Sequence, residues 1–205
     1  MKTIDALARL MDMGAPAFTT NDAAAALRLT RAHASKTLAR LAAARQLVRL
    51  RRGAWVFPGK IDQMALPALL SAPAPCYISL QSALYQHGIV SQMPQRIYAI
   101  STARSRLFRT PLGAVSIHRV KPSFFGGFEV NARNGIPMAT PEKALVDFLY
   151  LGSTRSRLFA ALPEMDFSSG FRRTVAMKYT RLIDSPSRRN AVALRLKNIF
   201  DQWLK

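Results

Sequence analysis

The chain has 205 residues, enough for two modest domains, and its 49% hydrophobic content excludes a disordered polymer. Thirty Lys and Arg against eleven Asp and Glu leave +19 at neutral pH, a field that attracts polyanions. One cysteine, Cys76, excludes an intramolecular disulfide and a cysteine-rich zinc site, and His33, His87 and His118 lack ligand spacing, so neither metal nor cofactor is expected.

The opening stretch MKTIDALARLMDM is interrupted by Asp5, Arg9 and Asp12, unlike the apolar core of a signal peptide. Its Ile4, Leu7, Leu10 and Met11 have the spacing of an amphipathic helix over 2–13, ended by Gly14 and Pro16. Thr20 or Asn21 caps a second, alanine-rich helix, and Thr30 caps a third, RAHASKTLARLAAARQ. The segment LVRLRRGAWVF (47–57) follows at once and reads as a β-hairpin with Arg49, Arg51 and Arg52 crowded at its tip. Helix, helix, turn, helix and hairpin in this order is the plan of a winged helix-turn-helix domain. With Ala34, Leu38 and Leu41 turned inward, the opposite face of the third helix carries Arg31, His33, Lys36, Thr37 and Arg40, side chains suited to base edges and phosphates. Arg49, Arg51 and Arg52 would serve as a wing on the phosphate backbone or in the adjacent minor groove. Residues 28–52 hold eight Lys and Arg and no acid. Double-stranded DNA is therefore the expected partner.

The pattern resets around Pro58 and Gly59, which places a boundary within 58–65 and divides the chain into 1–60 and 61–205. Residues 63–95 carry no charge, but Pro67, Pro73, Pro75 and Pro94 interrupt them. No window offers the roughly 20 apolar residues of a membrane span. The stretch is expected to be the buried heart of a second domain, and the protein cytoplasmic, without a membrane partner. A short helix is expected at SLQSALYQHG, capped by Ser79 and closed by Gly88. RIYAIST and AVSIHRV alternate as strands, and SFFGGFEV continues in extended form around Gly126 and Gly127. ATPEKALVDFLYL is a helix with Thr140 as cap, Pro141 at its first position and Glu142 in its first turn. Lys143 and Asp147 pair at i, i+4. Residues 188–205 form a last basic helix with Val192, Leu196, Ile199 and Trp203 on one face.

No catalytic constellation stands out. A nuclease metal site needs several convergent acids, and Glu129, Glu142 and Asp147 are the only carboxylates between Arg96 and Glu164. Capping, the helix dipole and pairing with Lys143 account for two of these. The chain is therefore not read as an enzyme.

The order of segments resembles a known family. The N-terminal winged helix, YISLQSALYQHGI, RIYAIST, RTPLGAVSIHRVKPSFFGG and GIPMATPEKALVDFLYL together look like the AbiEi-type antitoxins of type IV toxin–antitoxin systems. The likeness runs over about residues 5–155 and is most telling at 77–88 and 136–150. It implies an α+β chain: an N-terminal winged helix-turn-helix domain followed by a mixed α/β antitoxin domain. The first would bind repeats in the chain's own promoter and repress its operon. The second would counteract a nucleotidyltransferase-like toxin without a stable complex between the two. The family's helix and wing match 31–45 and 47–57; the run 140–147 falls in the antitoxin domain without an assigned chemical role.

Residues 61–205 still carry nineteen Lys and Arg against eight Asp and Glu. Arg104, Arg106 and Arg109 cluster near one turn. Arg172, Arg173, Lys178 and Arg181 form a possible secondary nucleic-acid patch. The alternative to an antitoxin is a winged-helix transcription regulator whose second domain senses a small ligand.

Overall fold

In the computed structural model, which describes residues 2–152, 163–167 and 170–203, α1 (Thr3–Met11) buries Ala6 and Leu10 and ends where Gly14 takes a left-handed φ of +68°. A short strand, β1 (Ala17–Thr19), leads into α2 (Thr20–Leu27). The cap of α2 is Thr19 rather than Thr20 or Asn21. Its hydroxyl accepts the Asp22 N–H at 3.2 Å while the Asp22 carboxylate accepts the Thr19 N–H at 2.7 Å, a reciprocal capping box. Thr20 is committed elsewhere: its hydroxyl accepts the buried indole N–H of Trp55 at 2.9 Å. α3 (Arg31–Ala43) starts at the expected cap, Thr30.

The hairpin forms as β2 (Val48–Arg51) and β3 (Ala54–Val56) around Arg52 and Gly53. With β1 it makes an antiparallel sheet in the order β1-β3-β2. The pairing shifts by one residue between Arg49 and Arg51, a bulge that leaves Leu50 facing away from the helices. Leu47, Trp55 and Phe57 pack inward with Leu10, Leu38 and Leu41.

The second sheet has six strands in the order β6-β7-β5-β4-β9-β8: β4 (Cys76–Ile78), β5 (Ile97–Ser101), β6 (Arg106–Thr110), β7 (Gly113–Arg119), β8 (Phe128–Val130) and β9 (Pro137–Ala139). The two expected strands are β5 and β7, which run parallel from Ile97↔Val115 to Ser101↔Arg119. β4 and β9, three residues each, are too short for alternation to reveal them. The extended run expected across SFFGGFEV is divided: Pro122–Phe124 is a single 3₁₀ turn and only Phe128–Val130 pairs as strand.

Helices cover both faces of this sheet. α4 (Leu66–Ser71) lies with Cys76, Ala99, Val115 and Ile117. On the other face α5 (Leu80–Gln86) and α6 (Pro141–Gly152) pack over Tyr77, Tyr98 and Ile100, with α7 (Arg173–Thr180) and α8 (Pro186–Trp203) behind α6. α6 is buried on every side from Glu142 to Leu151. α8 begins two residues before its expected start, and the expected continuation over 204–205 lies outside the described residues.

The molecule is thus a mixed α+β fold with two sheets, but it is not cleanly divided at 58–65. Leu50 and Val56 of the hairpin are buried in one cluster with Leu66, Leu70, Cys76, Ala99, Val115 and Ile117. The hairpin has two apolar faces, one for its own helices and one for the second sheet. No helix among the described residues is long and apolar enough to cross a membrane.

Candidate nucleic-acid interface

α3 owes its orientation to Ala34, Leu38 and Leu41, which are fully buried, the two leucines in one cluster with α1, α2 and the hairpin. The same rotation turns His33, Lys36 and Arg40 outward, all exposed, whereas Arg31, three and seven residues before Ala34 and Leu38, lies on their stripe and is exposed at the first position of the helix. Thr37 is half-buried and its hydroxyl donates to the His33 carbonyl one turn back, at 3.1 Å. The His33 ring lies against the cap, with Nδ1 at 3.1 Å from the Thr30 hydroxyl. Four of the five predicted residues therefore share one face, with Lys36 and Arg40 as its long cations; Arg31, expected there, stands apart on the side of Ala34 and Leu38 at the helix start. Among the described residues no ion pair holds them.

The hairpin arginines are not crowded at a free tip. Arg49 sits on the strand with its guanidinium 5.5 Å above the Trp55 ring. Arg51 turns toward the second sheet and donates to the Ala72 carbonyl at 3.4 Å. Only Arg52 occupies the turn itself. Packing of Leu50 and Val56 on the second sheet forces this spread. Sequence alternation carried the signal: on a free wing, Leu50 and Val56 would be left in water.

Arg51 also lines a groove of about 510 Å³ between the hairpin, the end of α4 and β6, together with Arg104, Arg106, Phe108 and Ile117. The Arg106 guanidinium lies 4.8 Å from the Phe108 ring centroid.

The second predicted patch is partly employed within the chain. The Arg172 N–H and side chain both donate to Glu142 Oε1, at 3.1 and 3.4 Å. Arg173 lies over Phe200 and Trp203, at 5.4 and 4.8 Å from the ring centroids. Lys178 and Arg181 are exposed. The four share α7 and its flanks, but two of them tie that helix to α6 and α8.

A group that the sequence suggested only as an ordinary helix pair lies at the centre of the second sheet. Lys143 and Asp147 are fully buried and in direct contact. Asp147 also accepts the Tyr77 hydroxyl at 3.0 Å and the Ser79 hydroxyl at 2.7 Å, and Lys143 donates to Tyr77 at 2.9 Å. Ser79 stands at the expected cap of α5, yet its hydroxyl caps nothing because Asp147 takes it. The next residue, Leu80, has φ +57°, the price of turning from β4 into α5 with Ser79 aimed at α6. The Lys143 ammonium lies 4.0 Å from the Phe124 ring centroid. Burial pushes Lys143 down and Asp147 up, and their contact opposes both displacements. Burial, and then the charge of Asp147, hold the Tyr77 phenol well above its ordinary range. The missed signal is the composition of KALVDFLYL. A helix apolar on every side gives Lys143 and Asp147 no route to water.

Gly127 completes this packing. A Cβ there would meet the Tyr179 ring at 2.8 Å and Lys143 Cγ at 2.9 Å, and its φ is +73°. On β7, burial and then the charge of Arg96 lower His118 to about 4, while its Nε2 lies 2.9 Å from the Ser116 hydroxyl. Burial raises the Cys76 thiol to about 11, so it is an inert core group. Among the described residues no three His, Cys, Asp or Glu side chains gather as metal ligands.

No family model and no curated protein matches the chain. Among solved structures, the solution structure of the antibiotic-resistance factor ANT(2'')-Ia aligns with 68% of this chain and 90% of its own, at 11% identity and a TM-score of 0.32. A likeness of that size supports no argument about fold or activity.

Proposed function

We propose that residues 3–56 act as a winged helix that binds double-stranded DNA, with α3 reading the major groove and the hairpin gripping the backbone. The observation that carries the reading is the outward face of α3: His33, Lys36 and Arg40 exposed together, opposite a buried Ala34, Leu38 and Leu41, with Arg31 exposed at the helix start. A helix of this kind fits the major groove, and Arg and Lys are the usual partners of guanine edges and phosphates. Charge supports it further, since residues 23–61 contain no acid.

The resemblance to AbiEi-type antitoxins extends the proposal. The chain would repress its own operon and counteract a nucleotidyltransferase-like toxin, with 61–205 as the antitoxin domain. The buried Lys143–Asp147 group would then be an internal brace of that domain, since its members do not reach the surface.

The test is a salt-titrated binding curve for the DNA upstream of the gene against a scrambled duplex of equal length. The expected result is selective binding that Lys36→Ala and Arg40→Ala reduce to the scrambled level. Equal, steeply salt-dependent binding to both duplexes would overturn it. Co-expression with a toxin of the nucleotidyltransferase-like class tests the second part, by rescue of growth.

One observation favours a ligand-sensing regulator instead. A cavity of about 400 Å³ opens beside Met64, Tyr85, Pro94 and Ile97, with Asp62 and Arg96 at its polar side, a volume suited to a small molecule. A sensor would bind the operator but fail to rescue growth.

A further inference from the structure

We propose that the groove between the hairpin and β6 is a second seat for the phosphate backbone. A bound duplex would continue beyond the hairpin onto the edge of the six-stranded sheet. This inference rests on the DNA-binding reading above and assigns residues of the second unit to it.

Three guanidiniums meet there from separate parts of the chain: Arg51 from β2, Arg104 from the loop after β5, and Arg106 from β6. Two of them are held in place. Arg51 is tied to the Ala72 carbonyl and Arg106 lies over the Phe108 face. Neither interaction neutralises charge. Among the described residues no Asp or Glu lines the groove, and Asp62 is the only acid anywhere in residues 23–128. Like charges gathered without a counterion repel one another, and an anion relieves that repulsion. A guanidinium bound on one side keeps N–H groups for the other, in the planar fork that suits phosphate oxygens.

Geometry favours duplex DNA as the source of the phosphate. β2 is an edge strand of the first sheet and β6 an edge strand of the second, and the two lie side by side. Arg51 belongs to both features, since it is a hairpin arginine and a wall of the groove. A backbone engaged by the hairpin therefore meets Arg104 and Arg106 next.

The experiment uses the full chain and its Arg104→Ala/Arg106→Ala variant. Each is titrated with salt on a long duplex and on one trimmed to about one helical turn around the operator half-site. Both arginines are exposed, so the thermal transition should be unchanged. On the long duplex the slope of log K against log salt should fall by about two, equally for operator and scrambled sequence. On the trimmed duplex it should not move. Arg104→Lys/Arg106→Lys should keep most of the slope. An unchanged slope on the long duplex, with Lys36→Ala still abolishing selectivity, would overturn the groove and leave the DNA reading standing. Loss of single-stranded RNA binding with duplex binding intact would overturn it in favour of an RNA site. If the unaltered chain shows no duplex binding, the DNA reading falls and the groove with it.

Discussion

Asp147→Asn keeps the size of the side chain and removes the countercharge of Lys143. Both residues are fully buried, so no water can replace the lost partner. Breaking a buried ion pair on one side costs about 3–5 kcal/mol, because the remaining charge is stranded. Tyr77 and Ser79 both donate to Asp147 Oδ2. The neutral amide accepts these bonds more weakly, for about 1 kcal/mol more. A total near 4–6 kcal/mol is a large part of the 5–15 kcal/mol that holds most folded proteins together. With a urea m-value of about 2 kcal/mol/M, the midpoint should fall by about 2–3 M. The assay is urea denaturation followed by circular dichroism and by tryptophan fluorescence, with m compared between variants. The double variant Lys143→Met/Asp147→Leu should cost much less than the two single changes summed, since neither charge is then stranded. A midpoint shift below about 0.4 M for Asp147→Asn, under about 1 kcal/mol, would refute the reasoning.

Gly127→Ala forces a side chain into a left-handed φ of +73° and against Tyr179 and Lys143. It should destabilise by about 2–4 kcal/mol, read as a lowered urea midpoint. His118 is lowered in the fold, so the unfolded chain takes up its proton first as pH falls. Its contribution is fully present above about 6.5 and is lost as the pH drops toward about 4. The full difference is roughly 3 kcal/mol, and His118→Gln should flatten the stability profile in that window. Arg52→Ala should weaken binding to operator and scrambled DNA alike and reduce the salt slope by about one. A change in sequence preference instead would mean that the turn reads bases.

Most of the N-terminal helices and hairpin were legible because their signals are local. Thr30, the spacing of Ala34, Leu38 and Leu41, and the Arg52–Gly53 turn each act within a few residues. The cap of α2 misled because three polar residues compete there, and the deciding contact, Trp55 to Thr20, comes from 35 residues away. Beyond the hairpin β5, β7 and α6 were visible in their periodicity, whereas β4 and β9 are strands only because segments distant in the chain pair with them. The α3 face could be read from helical rotation, which keeps His33, Lys36, Thr37 and Arg40 together and sets Arg31 on the other side. The Arg51–Arg104–Arg106 groove could not, since it exists only where two sheet edges meet. The buried Lys143–Asp147 group lay between: its spacing was plain, but its depth depended on α6 being covered by α5, α7 and α8.

The apolar cluster that seats Leu50 and Val56 on the second sheet has a thermodynamic consequence for ligand capture. An isolated hairpin in water is marginal and samples many shapes, and a partner that selects one must offset the entropy of the rest. Here that ordering is completed during folding, by the same contacts that bury Ala99, Val115 and Ile117. The hairpin is preorganised. A polyanion approaching Arg49, Arg51 and Arg52 meets a backbone with little freedom left to surrender, so more of the electrostatic attraction is retained as affinity.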